Sequence, residues 1–138
     1  MPYRVVDRLV EVVDCKAGKP FGGARILVLG VAYKKNVDDM RESPALKLIE
    51  LIEARGARAD YHDPHVPVIP PTREHAGRAG RRSVALQADA IAAYDAVLIA
   101  TDHDAVDYRF VVEHAAVTVD TRNACARAGI ASDRVVKA

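Results

Sequence analysis

The sequence predicts an α/β protein: a Rossmann-like open parallel sheet flanked by helices and preceded by an N-terminal helix. Three observations carry that prediction. The apolar runs Ile26–Leu29 and Ala96–Ala100 are too continuous for strands with one wet face and too short for helices, so they suit the centre of a sheet buried on both sides. Between such runs lie apolar residues at helical spacing, and strands joined by helical crossovers run parallel. The third is a charged loop, which leaves the first strand and enters a capped helix. Ligands of open parallel sheets gather at the carboxyl ends of the strands, where this loop stands.

In chain order, Val5, Val6, Leu9, Val10 and Val13 recur at helical spacing, and Ala17-Gly18-Lys19-Pro20-Phe21-Gly22-Gly23 breaks the pattern into a hinge. Residues 1–23 are therefore set apart from a domain at 24–138. After the first strand, Ser43 is a candidate N-cap, Pro44 suits the first helical position, and Ala45, Leu46, Leu48, Ile49 and Ile52 form one apolar face. Gly56 closes that helix. Ala57 to Tyr61 is a second strand, ended by Asp63-Pro64. His65 to Arg82 holds Pro67, Pro70 and Pro71 with several arginines and no periodicity, which predicts an irregular loop. Ala88 to Tyr94 is weakly helical, Ala96–Ala100 is the third strand, and Tyr108 to His114 is a short helix. Val117 to Asp120 and Arg134 to Lys137 complete the sheet.

Lys34, Lys35 and Arg41 lie between the first strand and the helix that Ser43 caps. Free N–H groups at a helix start, with cations nearby, suit a phosphate or pyrophosphate. The dinucleotide fingerprint G-x-G-x-x-G is absent, because Gly30 is followed by Val31-Ala32-Tyr33. Any phosphate here would be held mainly by long side chains rather than by bare backbone. The plainer alternative is that these cations offset Asp38, Asp39 and Glu42 on a solvated loop. Lys34, Asp63, Thr101 and Arg122 all fall at predicted carboxyl ends of strands, which places four polar groups on one rim.

Composition excludes several classes. With 20 lysines and arginines against 19 acidic residues, the net charge of +1 makes no electrostatic case for nucleic acid or for an anionic membrane. No apolar run approaches a membrane span. Two isolated cysteines, Cys15 and Cys125, form no disulfide framework, so a cytoplasmic location is expected. His62, His65, His75, His103 and His114 come without an accompanying acidic or cysteine ligand set, and no metal site is expected. Thr101-Asp102-His103 lacks a nucleophile elbow, so a cap for the following helix is the expected role. Asp63 reads as an ordinary turn residue after a strand.

The segment G-V-A-Y-K-K-N-V-D-D-M-R-E-S-P-A-L closely resembles the opening of the C-terminal domain of the UDP-glucose/GDP-mannose dehydrogenases, NAD-dependent enzymes that oxidise a nucleotide sugar to its uronic acid. Y-H-D-P-H-V at Tyr61–Val66, A-T-D-H at Ala100–His103 and V-D-T-R-N at Val119–Asn123 agree in order. The wording is most similar to the bacterial UDP-N-acetylhexosamine 6-dehydrogenase branch. Met1 to Leu9 resembles the end of the long linking helix before that domain.

The resemblance implies roles residue by residue. Lys34 matches a lysine on the UDP portion of the substrate, with Tyr33 the aromatic beside it. Arg122 matches an arginine that reaches the same nucleotide, and a guanidinium fork suits a pyrophosphate. Arg41 matches an arginine that meets the NAD pyrophosphate across the domain cleft. No catalytic residue is expected, since neither cysteine has the family's nucleophile context; the chemistry would need an N-terminal NAD-binding domain as partner, and a UDP-sugar as ligand. The alternative is a free-standing module that binds a nucleotide sugar without chemistry. Family members pair through the long helix, which leaves room for a homodimer and predicts exposure of Val5, Leu9 and Val13 on its remnant.

Overall fold

The computed structural model describes residues 2–18, 20–31, 44–69, 80–103 and 105–137. Helix α1 (Pro2–Val12) runs into a π-helical turn, Val13–Ala17, that ends at Gly18 with φ 67°. The sheet consists of β1 (Arg25–Leu29), β2 (Arg58–His62), β3 (Ala96–Ile99), β4 (Thr118–Asp120) and β5 (Val135–Lys137). Helices α2 (Pro44–Ala54), α3 (Ala88–Ala92), α4 (Tyr108–His114) and α5 (Ala124–Arg127) connect them. Every strand pair is parallel, in the order β2-β1-β3-β4-β5. The order reverses between β1 and β3, so the carboxyl ends of those two strands form the topological switch point.

Strand periodicity divides the core into two layers. Ile26 and Val28 of β1 face one side with Ala59, Tyr61, Leu98 and Val119, under Leu46, Ile49 and Ile52 of α2. Leu27 and Leu29 face the other with Val97 and Ile99, under Ile91 of α3, Val111 and Val112 of α4, and Cys125 of α5. A continuous apolar β1 is the expected signature of a strand covered on both faces.

Helix α1 belongs to the first layer, packed on α2. Leu9 and Val13 are fully buried, and only Val5 is partly covered, which corrects the expectation that these three residues lie exposed. The reason is that an amphipathic helix whose stripe holds Val6, Leu9, Val12 and Val13 finds an apolar surface within its own chain.

Two further differences concern short elements. α5, only four residues long, shows no periodicity to read; it exists because the Asp120 carboxylate accepts its first free N–H groups. α4 is capped by Asp107, whose carboxylate accepts from Phe110 N at 3.2 Å, and not by Thr101 or Asp102.

The burial of α5 makes a prediction about thiols. Cys15 is exposed and Cys125 buried, and burial first, then the Asp120 carboxylate, pushes the Cys125 thiol up to about 12. A raised value keeps the unreactive thiol form at pH 8. A thiol dye should therefore label one cysteine quickly and the second only on unfolding. Equal rates for both would mean that α5 opens freely from the sheet.

Candidate functional site

The rim at the carboxyl ends of the strands is built from three crossings. At the switch point Gly30 has φ 87°, and a Cβ placed there would lie 2.5 Å from Thr101 Cβ and 2.7 Å from Thr101 O. Gly30 N donates to His62 O and Thr101 N to Leu29 O, which draws the exits of β1, β2 and β3 together. Only glycine permits this approach and this backbone angle at once.

The second crossing is made by side chains. Asp63, just beyond β2, is buried, and its Oδ2 accepts from Val31 N at 2.8 Å and lies 2.9 Å from Nε2 of His103, which follows β3. Asp63 Oδ1 accepts from His65 N at 2.8 Å, closing the turn that Asp-Pro predicts. Both side chains of the Asp63–His103 pair are fully buried. The His65 ring packs on that of His103 at 4.8 Å between centroids, and His65 Nε2 is buried without a hydrogen-bond partner among the described residues. His103 N donates to the hydroxyl of Tyr108, whose ionisation burial pushes well above the ordinary phenol range.

The third crossing is at β4. Asp120, 3 % exposed, accepts from Arg122 N and Ala124 N through Oδ1 and from Cys125 N through Oδ2, at 2.9, 3.2 and 2.9 Å. Arg122 is exposed on the resulting turn, and its Nε donates to Ala100 O at 2.9 Å. That bond uses one donor of the fork and leaves the terminal Nη groups available among the described residues. Beside it, a cavity of about 340 Å³ is lined by Asp102, His103, Tyr108 and Arg127, with Arg127 ion-paired to Asp102. A larger hollow of about 650 Å³ lies elsewhere, along the outer edge of β2 between Arg58, Asp60 and Arg81, and contains none of the rim residues.

Of the residues singled out in the sequence, Asp63, Thr101 and Arg122 do gather at strand ends. Tyr33, Lys34, Arg41 and the cap Ser43 lie outside the described residues, as does His75. Asp63 is more than a turn residue, since it also takes the N–H of Val31, two residues beyond β1. The sequence shows His103 only within the histidine set and Thr101-Asp102-His103, neither of which brings it to Asp63; the signal lies in the two histidine-bearing motifs, Asp-Pro-His and Ala-Thr-Asp-His, that meet here. His62 is engaged with the segment before α3, its Nδ1 2.6 Å from Val84 O. Among the described residues no group of three metal-ligating side chains could hold an ion, and no helix is long and apolar enough to cross a membrane.

Comparison with known proteins places this arrangement. The family profile described as "UDP-glucose/GDP-mannose dehydrogenase family, UDP binding domain" matches residues 27–127. UDP-N-acetyl-D-mannosamine dehydrogenase of Salmonella typhi is 32% identical over 123 residues, covering 81% of this chain and 28% of that protein. UDP-glucose 6-dehydrogenase AglM of Haloferax volcanii is 33% identical over 133 residues, covering 91% and 28%. The solved UDP-D-ManNAc dehydrogenase of Pyrococcus horikoshii superposes with a TM-score of 0.71 at 27% identity, over 99% of this chain and 30% of that one. The chain thus spans less than a third of the length of these relatives.

Proposed function

The chain belongs to the UDP-glucose/GDP-mannose dehydrogenase family as its UDP binding domain, and from that premise we propose that it holds the nucleotide portion of a UDP-sugar in an NAD-dependent 6-dehydrogenase. The observation that carries the reading is Arg122: a guanidinium on the strand-end rim, tethered through Nε, with its terminal fork left over for a diphosphate. Lys34 supplies a second cation from the stretch after β1, with Tyr33 beside it. In this reading Asp120 and Ala100 fix the base of the Arg122 side chain, so that little rotamer freedom is lost when the ligand arrives.

The domain's part in the reaction is positioning and charge neutralisation. NAD, when bound, accepts the hydride. The described residues do not fit a resident dinucleotide of their own, because Gly30 packs directly on Thr101 and the Asp63–His103 pair fills the switch point where a pyrophosphate would lie. In this reading NAD is held by a separate N-terminal domain, and Arg41, which lies outside the described residues, is assigned to it on the family resemblance alone. The chain shares its ligand with that domain and has no catalytic residue of its own. The boundary between linking helix with hinge at 1–23 and nucleotide domain at 24–138 is part of the same proposal, as are a cytoplasmic location and pairing of two copies in the whole enzyme.

Calorimetric titration of the chain with UDP tests the reading. Binding should be measurable, and Arg122→Ala should weaken it by about 1.5 to 3 kcal/mol, the usual worth of a hydrogen bond to a charged group. An Arg122→Ala chain that binds UDP as tightly as the parent removes Arg122 from the site.

A further inference from the structure

We propose that Asp63 and His103 form a positioning strap for the nucleotide site: a buried carboxylate–imidazole pair that fixes Val31, the point from which the stretch bearing Tyr33, Lys34 and Arg41 departs. The inference rests on the UDP reading above and adds residues that reach no ligand in it. Three strand ends meet in this contact. Asp63 comes from β2, His103 from β3, and the N–H they secure between them is Val31, two residues past β1. Neither side chain has any exposed surface.

The physical argument is one of location against need. A buried polar pair is a poor device for stability, since an apolar pair of the same volume often serves as well, but its hydrogen bond ties two strand ends into one arrangement. Here it stands where β1 stops pairing on either side, and Val31 is the last described residue before 32–43. Val31 is itself buried, so a second acceptor from solvent cannot replace Asp63 without opening the rim. His65 N on the other carboxylate oxygen and the His65 ring against His103 hold the pair in register from the outer side. Tyr108, which accepts from His103 N, holds it from the inner side. A cationic side chain several residues beyond Val31 gains from this only if its starting point is fixed. A departure of about 1 Å there is enough to spoil a charged contact, as mispositioning from a distance does in active sites generally.

His103→Gln and His103→Leu separate a positioning role from simple packing. A glutamine amide reaches the place of Nε2 and donates to Asp63, whereas leucine fills the space and donates nothing. Both chains are read by amide hydrogen exchange at Val31 and at the core strand residue Leu98, and by titration with UDP. The leucine chain should exchange Val31 at least about tenfold faster while Leu98 is unchanged, and bind UDP about tenfold more weakly; the glutamine chain should stay within about twofold of the parent on both. Should the leucine chain not fold, Asp63→Ala, which removes the acceptor of Val31 N altogether, is read the same way and should also release Val31. Unchanged Val31 exchange in the leucine and alanine chains overturns the strap, as does equal loss of UDP affinity with leucine and glutamine. Failure of the parent to bind UDP overturns the proposed function instead, and the exchange contrast still decides whether Asp63 and His103 hold Val31.

Discussion

Gly30→Ala should destabilise the chain by about 2 to 5 kcal/mol, enough to lower the melting temperature by roughly 10 °C. Two costs add. The residue has φ 87°, where an L side chain is strained, and the new Cβ would fall 2.5 Å from Thr101 Cβ, 2.7 Å from Thr101 O and 3.0 Å from Thr101 Cα. Two of those three atoms belong to backbone, so no rotamer change relieves them; β1 and β3 must part at their ends. Thermal unfolding of the Gly30→Ala chain measures the effect. Adding Thr101→Gly removes only the Cβ contact and should recover less than half of the loss. A variant melting within about 2 °C of the parent would falsify the close packing at the switch point.

Asp120→Ala should have the second largest effect, about 2 to 4 kcal/mol, since it strands three N–H groups at once. Arg122, Ala124 and Cys125 all donate to the one carboxylate, which is 3 % exposed. Unpaired buried donors cost their full desolvation, and the acceptor here is charged. Asp120→Asn keeps one oxygen but turns an NH₂ toward a donor, so it should fall between parent and alanine. Chemical denaturation gives the ranking. The same series should loosen the turn that presents Arg122, so UDP affinity should fall in the order Asp, Asn, Ala; a chain that loses stability without losing affinity would detach the turn from binding.

Both effects arise at places where the sequence says least. The strands were legible because a run such as Ile26–Leu29 has few other uses, and α2 because its apolar face repeats over enough turns to show a period. α5 was not, as four residues carry no period and its cap sits in the preceding strand. The burial of Leu9 and Val13 was misjudged because a stripe on a helix tells that a partner exists and not which one. At the site, Asp63, Thr101 and Arg122 were placed on one rim by counting strand ends. What counting could not supply was the direction of each side chain: Arg122 outward over Ala100, Asp63 inward to Val31 and His103. Direction depends on contacts between strands far apart in sequence, which no local pattern encodes.

The segment ahead of α3 has a consequence for molecules that meet one another. Val84 N donates to Tyr61 O, Asp63 N to Ser83 Oγ, and the Tyr61 hydroxyl to the carbonyls of Val66 and Arg81, so the outer flank of β2 is already engaged near its carboxyl end. An unguarded β2 would be a template for a strand from a neighbouring copy. At the opposite flank β5 is only three residues long and ends on the exposed Lys137, too short and too charged to recruit a stranger. Bordered in this way, the carboxyl end of β2 and the short β5 leave a neighbouring molecule little backbone to pair with.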